Sequence, residues 1–284
     1  MDRITLITKL SDDYELLDSG KEEKFERYGS VLLSRPDPQA LWEKKMSEGE
    51  WAKAQGRYER KDREGEWHAN NLPKEWEISF GGLKFLIRPT SFKHTGLFPE
   101  QLPNWEWMQG QIMSGAKALN LFGYTGGASL AVAKAGAEMT HVDASKIAVA
   151  WAKENAKLSG LEEKPIRWII EDALLFVKRE IKRGNKYDGI IMDPPAFGHG
   201  PKNELWKIEK DFIELVKLCQ ELLSEKPLFF LINGYAAGYS PLAFAYNLEP
   251  LVKKFGGKLE YGDLTIEEKS GRLLPCGIFA RWRG

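Results

Sequence analysis

From about Leu102 onward the chain alternates short apolar runs with segments of helical spacing, and this alternation constrains the fold more than any other feature. Asn104–Ser114 has helical spacing, and Ala118–Phe122 is a short apolar run ending in glycines. Ala128–Ala137 reads as a helix and Glu138–Val142 as a strand ending in Asp143. Ser145–Ser159 reads as a helix, Ile166–Ile170 as a strand, Ala173–Arg183 as a helix, and Tyr187–Met192 as a strand ending in Asp193. Glu204–Ser224 is expected as a helix, Pro227–Ile232 as a strand and Pro241–Phe255 as a helix. Lys258–Leu264 and Pro275–Trp282 close the chain as two strands with no helix between them. Repeated strand–helix units predict a mostly parallel sheet covered on both faces. The closing pair predicts a hairpin, so that one edge strand runs antiparallel.

Residues before about 88 have a different texture, polar and rich in tryptophan, arginine and lysine. Trp76–Phe80 and Leu83–Ile87 alternate around Gly81-Gly82, which predicts a hairpin with a two-residue turn. The charged stretch Glu43–Arg63 reads as a solvated helix or an irregular loop. The expected organisation is a small β-rich domain over residues 1–88 and an α/β domain over 89–284. Lysine plus arginine number 41 and aspartate plus glutamate 41. That balance lacks the basic excess of a protein gripping long duplex nucleic acid, so any such contact is local. The two cysteines, Cys219 and Cys276, imply neither a disulfide framework nor a metal site. No apolar run reaches the ~18 residues of a membrane span, and MDRITLITKLSDDYE is too polar for a signal peptide. A cytoplasmic protein without metal or membrane attachment is expected, and its oligomeric state is open.

Three features carry chemistry. In LNLFGYTGG (119–127) a strand runs into a glycine turn and then a helix, as a backbone must where it approaches a ligand closely. A purely structural turn would read the same way. Asp143 ends the next strand about twenty residues on, the offset at which a carboxylate can accept hydrogen bonds from a ribose diol. Asp172 and Asp193 follow the third and fourth strands, so three successive strands deliver an acid at their carboxyl ends, where open α/β sheets bind ligands. In Asp193-Pro194-Pro195-Ala196-Phe197 two prolines fix a rigid loop. There a carboxylate and a proline carbonyl can accept hydrogen bonds from a planar amine, and Phe197 can stack on a flat substrate.

LNLFGYTGGAS, HVDAS, IIEDA and MDPPAFG, in this order, resemble motifs I to IV of the class I S-adenosylmethionine-dependent methyltransferases. The chain is more closely similar to the bacterial large-subunit ribosomal RNA methyltransferase I/K-like group. FKHTGLFPEQ (92–101), LINGYAAGYSP (231–241) and GRLLPCGIFARW (271–282) resemble further motifs of that group, as LLDSGKEEKFERYGSVLLSRPDPQALW resembles its small leading domain. The resemblance implies a Rossmann-like sheet, S-adenosylmethionine as cofactor and an RNA substrate. It places Phe98 and Gln101 beside the methionine part of the cofactor, and Gly123 and Gly126 in the turn beneath it, flanked by Asn120, Tyr124 and Thr125. Asp143, next to Ala144, takes the ribose hydroxyls, and Asp172, next to Ala173, reaches the adenine amino group. Asp193, Pro194, Pro195 and Phe197 face the transferred methyl.

The chain departs from the group in two respects. Relatives often carry an added RNA-binding module that this sequence is expected to lack. The loop after Asp193 is Pro-Pro-Ala rather than Pro-Pro-Cys, which puts attack on carbon 5 of cytosine by a cysteine thiolate in doubt. Cys276 can in principle approach the site, although packing is its simpler role. His94 and His141 flank cofactor motifs, and His199 can face substrate as a proton acceptor. Lys202 can meet a phosphate or water. Trp42, Trp51, Trp67 and Trp76 offer stacking faces for bases or build the small domain's core. Three functions are therefore weighed: methylation of RNA, most simply a ribosomal RNA base; methylation of a small molecule or protein amine; and cofactor binding without catalysis. An RNA enzyme is expected to carry a basic stripe through Lys93 and Lys202.

Overall fold

The computed structural model describes every residue except Asp12, Asp62, Arg63, Phe92, Ala236 and Ala237. All six fall in stretches named above, in 1–15, 43–63, 92–101 and 231–241. The chain forms two compact units. A small unit comprises Ile7–Leu102 and Thr265–Cys276, and a large unit comprises Met1–Leu6, Pro103–Leu264 and Gly277–Gly284. The texture of the sequence suggests one cut at 88/89. The division is less simple because both chain ends are strands of the large unit's sheet.

After β1 (Asp2–Thr8) the chain enters the small unit with β2 (Tyr14–Gly20), β3 (Glu23–Tyr28) and β4 (Val31–Pro36). A one-turn helix α1 (Glu48–Trp51), β5 (Gly56–Lys61), β6 (Glu64–Ala69), β7 (Trp76–Phe80) and β8 (Leu83–Ile87) follow. Strands β2 to β6 make one sheet in sequence order, β4 and β5 pairing parallel and the others antiparallel. Strands β7 and β8 form the expected hairpin, with Gly81 at φ 58° and Gly82 at φ 71° in the turn. The charged stretch 43–63 is neither a long helix nor all loop. Ser47 and Glu50 cap α1 reciprocally, and β5 then pairs with β6 because Tyr58, 6% exposed, packs edge-on against Trp67. Tyr14, Leu16, Phe25, Tyr28 and Leu33 are buried in this unit. Among them Glu26, fully buried, takes two guanidinium hydrogen bonds from Arg35, each 2.8 Å, and one from the Tyr14 hydroxyl. Buried charges so paired avoid the desolvation cost of isolated ones.

A short 3-10 turn (Pro99–Gln101) leads into α2 (Leu102–Gln109). Strand–helix alternation then follows: β9 (Lys117–Leu121), α3 (Gly127–Lys134), β10 (Glu138–Asp143), α4 (Lys146–Leu158), β11 (Ile166–Ile170), α5 (Ala173–Lys182) and β12 (Gly189–Met192). A three-residue pair, β13 (Phe197–His199) and β14 (Leu205–Lys207), precedes α6 (Ile208–Glu221). The chain ends with β15 (Phe229–Gly234), α7 (Pro241–Phe255), β16 (Lys258–Glu267) and β17 (Leu273–Arg283). A single helix over 204–224 is therefore not what forms. Residues 205–207 alternate outward and inward, and the inward Trp206, 4% exposed, holds them in a hairpin.

The large sheet has the order β1-β16-β17-β15-β12-β9-β10-β11. From β15 to β11 neighbouring strands pair parallel, while β17 runs antiparallel to β15. Leu119, Leu121, Val142, Ile190, Met192, Phe230 and Ile232 form the core of this section, consistent with strands covered on both faces. Chain order runs outward from β9 through β10 to β11, then returns to the other side of β9 with β12 and β15. That reversal creates a crevice at the carboxyl ends of β9 and β12. No helix among the described residues is long and apolar enough to cross a membrane.

Candidate active site

Register sets the level of the crevice. Leu121 lies opposite both Val142 and Met192, and Asp143 lies opposite Ile170. The residues that follow β9, β10, β11 and β12 therefore emerge side by side. They are the glycine turn, Asp143, Asp172 and Asp193.

The turn after β9 is wound tightly. Phe122, Tyr124 and Gly126 have φ of 58°, 48° and 91°, and non-glycine residues in this region carry about 1–3 kcal/mol of strain each. Tertiary contacts hold it: Gly123 N–H donates to the Val142 carbonyl at 3.0 Å and Tyr124 N–H to Asp143 Oδ2 at 2.8 Å. Asn155, from α4, donates to the Thr125 carbonyl at 2.9 Å. Gly123 is not itself in the left-handed region. It is required because a Cβ there would land inside the imidazole of His141. That ring lies in a buried polar chain in which Asn120 donates to Ser129 Oγ at 3.0 Å and Ser129 Oγ meets His141 Nδ1 at 2.9 Å. Burial holds the His141 imidazole down at about 3, so it is neutral, supports the turn, and is not a proton acceptor at neutral pH.

Asp143 accepts one amide on each oxygen, Tyr124 N–H on Oδ2 and Ser145 N–H on Oδ1, both at 2.8 Å. A carboxylate has about four acceptor directions, so each oxygen retains one for a vicinal diol. Burial raises its pKa, partly offset by those two amides. Asp172 caps α5 by accepting from Leu175 N–H at 2.9 Å through Oδ1. Its other oxygen is the acceptor available to an amine. Ala144 and Ala173 follow these acids, Ala144 in the bend before the Ser145 cap of α4 and Ala173 as the first residue of α5. Asp193 N–H donates to the Leu121 carbonyl at 3.4 Å, which joins the Asp-Pro-Pro loop to β9. Pro194 is buried, Pro195 and Ala196 are exposed, and Phe197 is 54% exposed.

Phe98 and Gln101 belong to the small unit, half-buried and buried respectively. His94 is also in the small unit, lowered to about 4 by burial and then by Arg35 and Lys93. Cys276 is a poor nucleophile, because burial and the Glu100 carboxylate push its thiol well above the usual range. Cys219 is fully buried in α6. Lys93 Nζ donates to the Pro36 carbonyl at 3.1 Å. The indole N–H groups of Trp42, Trp51, Trp67 and Trp76 all donate within the small unit, to Ser19, Asp18, Thr90 and Tyr28, which favours a structural role. His199 is exposed, its ring edge-on to Phe197 at 5.1 Å. Sequence reading missed Trp206, whose indole N–H donates to the Pro195 carbonyl at 2.7 Å and whose ring meets Phe122 at 5.1 Å. Its only signal was the alternation of Leu205-Trp206-Lys207, overshadowed by the helix that follows.

A parallel sheet with a reversal at β9, an antiparallel β17, a strained glycine turn and an acid after each of the next three strands defines a class I methyltransferase binding S-adenosylmethionine. The chain belongs to the S-adenosylmethionine-dependent methyltransferase family, whose model matches residues 37–253. It is similar, at 40% identity and a TM-score of 0.94, to the SAM-dependent methyltransferase from Agrobacterium tumefaciens, over 99% of this chain and 95% of that one. A putative methyltransferase complexed with SAH shares the fold, with 20% identity and a TM-score of 0.72 over 96% of this chain and 76% of that one. Among curated proteins it is similar to ribosomal RNA large subunit methyltransferase K/L of Pseudomonas syringae pv. syringae, 33% identical over 161 residues, or 56% of this chain. The chain spans 21% of that relative's length.

Proposed function

We propose that this methyltransferase acts on RNA, at a nitrogen of a base, with ribosomal RNA the first substrate class to test, and that it works in the cytoplasm. The observation that carries the reading is the Asp193-Pro194-Pro195 loop, held level with the cofactor crevice and continued by an exposed aromatic, Phe197. Its likeness to a ribosomal RNA methyltransferase supports the same substrate class.

S-adenosylmethionine, when bound, supplies a methyl group on a positively charged sulfur. Asp143 would accept from its ribose diol, and the second oxygen of Asp172 would accept from its adenine amine. Asn120, Gly123, Tyr124, Thr125 and Gly126 form the floor under the methionine part. Asp193 and the Pro194 carbonyl accept hydrogen bonds from the base nitrogen and aim its lone pair along the line of transfer. Positioning of this kind is the main source of acceleration. The raised Cys276 thiol argues against a covalent carbon-5 route.

The test is transfer of tritiated methyl from labelled S-adenosylmethionine to undermethylated ribosomal subunits, free ribosomal RNA and a metabolite and protein extract. Label should enter RNA and fall at least 100-fold in Asp193→Ala, with cofactor affinity, measured by calorimetry, changed far less. Label confined to protein or small molecules overturns the substrate class and favours an amine methyltransferase. Cofactor binding with no transfer to any fraction favours a binding protein.

A further inference from the structure

The hairpin β13–β14 leaves the Asp193-Pro194-Pro195 loop directly, and of its outer face the proposed function uses Phe197 alone. Its register pairs Phe197 with Lys207, Gly198 with Trp206 and His199 with Leu205. Alternation along a strand then puts Phe197, His199, Leu205 and Lys207 on one face and Gly198 and Trp206 on the other. The outer face exposes two large apolar side chains beside two polar ones, with Phe197 54% and Leu205 53% exposed.

A hairpin of three residues per strand does not hold itself together in water. This one is held by its inner face. Trp206 enters the core of the large unit, meets the Phe122 ring of the cofactor turn and donates to the Pro195 carbonyl. Ile208 N–H donates to the Ala196 carbonyl at 3.1 Å, and Lys207 N–H to Asp211 Oδ2 at 2.8 Å. At the tip Glu204 accepts from Lys202 N–H at 2.8 Å, and its carbonyl accepts from Gly200 N–H at 2.8 Å. A short exposed element is thus fixed rigidly to both the cofactor turn and the acceptor loop.

We infer that the outer face of this hairpin is the acceptor-recognition element, built to receive one unstacked nucleotide of a single-stranded RNA segment. The inference rests on the RNA reading above. Phe197 supplies a flat apolar surface for a base, and Leu205 closes its edge. His199, edge-on to Phe197, offers a ring nitrogen to the base edge. Lys207, with Nζ 5.9 Å from the centre of the Phe197 ring, places a positive charge beside the stacking face, and Lys202 at the tip adds another. An aromatic platform flanked by cations fits a base with its phosphate, the combination by which unpaired RNA is held. It also reconciles RNA binding with a chain of no net charge, because the cations needed are few and local.

Leu205→Ser, Lys207→Gln and Phe197→Ala test this in the full chain. The probe is a single-stranded RNA oligonucleotide carrying 2-aminopurine, alongside methyl transfer to undermethylated ribosomal RNA. The fluorophore should be quenched on binding to the unmodified protein. Leu205→Ser and Phe197→Ala should weaken binding about tenfold and raise the KM for RNA, with melting temperature and cofactor affinity unchanged. Phe197→Tyr should restore most of it. Lys207→Gln should lower the salt dependence of binding by about 0.7 in log–log slope, one single-strand phosphate. RNA labelled by the unmodified protein with all variants at its KM would overturn the inference and leave the RNA reading standing. Label entering only protein or small molecules would overturn both.

Discussion

Gly123 shows how one residue without a side chain decides a site. Its place is occupied from below by His141, which is itself held by Ser129. Adding a methyl group means displacing a buried ring from a polar chain, an overpacking that costs about 1–3 kcal/mol. The displacement would be passed to Tyr124, whose amide fixes Asp143. Gly123→Ala should therefore lower the melting temperature by several degrees and weaken S-adenosylmethionine binding at least tenfold, as read by calorimetry. An unchanged affinity would mean that the turn does not support the cofactor. Phe122 and Tyr124 make the complementary point. Both sit in the left-handed region with large side chains, a conformation that residue preferences disfavour and that only the surrounding hydrogen bonds maintain.

At the scale of elements, one of the acids after the strands combines two roles, Asp172 capping α5 and, in the function proposed, accepting from the adenine of the cofactor. Asp172 begins α5 and accepts its Leu175 amide, so its removal affects the helix as well as any bound adenine. The two roles separate by substitution. Asp172→Asn keeps an oxygen for the cap and should hold stability within about 0.5 kcal/mol, while cofactor affinity falls severalfold because the remaining group is an amide donor. Asp172→Ala should lose the affinity and about 1 kcal/mol of stability besides. Thermal melts with and without cofactor distinguish the two, and equal stability of the variants would remove the capping role. The hairpin β13–β14 illustrates the opposite case, an element too short to exist without one buried tryptophan.

Across the whole molecule, each of the two units carries a histidine whose pKa is lowered by burial and which makes it sensitive to acid, His141 in the large unit and His94 in the small one. In the large unit His141 is held at about 3, far below its ordinary 6.5. The unfolded chain therefore takes up a proton that the folded chain refuses. Stability is fully present above about 6.5 and falls by about 1.4 kcal/mol per pH unit below that, until the folded value is reached. In the small unit burial works against ionisation of Glu26, but Arg35 and Lys24 outweigh it and the net pKa is lowered from 4.5. That contribution is present above about 4.5 and is lost only as pH falls further. His94 in the small unit, lowered to about 4, adds a loss of the same sign, so hydrogen exchange between pH 6.5 and 4.5 should show protection falling in both units and further in β9, β10 and α3. Unchanged protection in β9, β10 and α3 would refute this account.

Strand–helix alternation, the apolar β9 and β12, and an acid at each of three strand ends were legible because they depend on local periodicity and chain order alone. Ile166–Ile170, Pro241–Phe255 and the Gly81-Gly82 hairpin form where the residues predict them, since period, proline and glycine act over a few neighbours. The roles assigned to Asp143, Asp172 and Asp193 remain readings that combine this chain order with the crevice geometry. What periodicity could not supply was everything that depends on partners distant in sequence. The tertiary structure alone places both chain ends in one sheet, joins Asn104 to Asn233 and Arg281 across 129 and 177 residues, buries His141 beneath Gly123 and turns Trp206 inward to hold Pro195. Burial and long-range hydrogen bonds are properties of the packed chain. The sequence determined which residues were available to meet at the crevice, and packing decided which of them did.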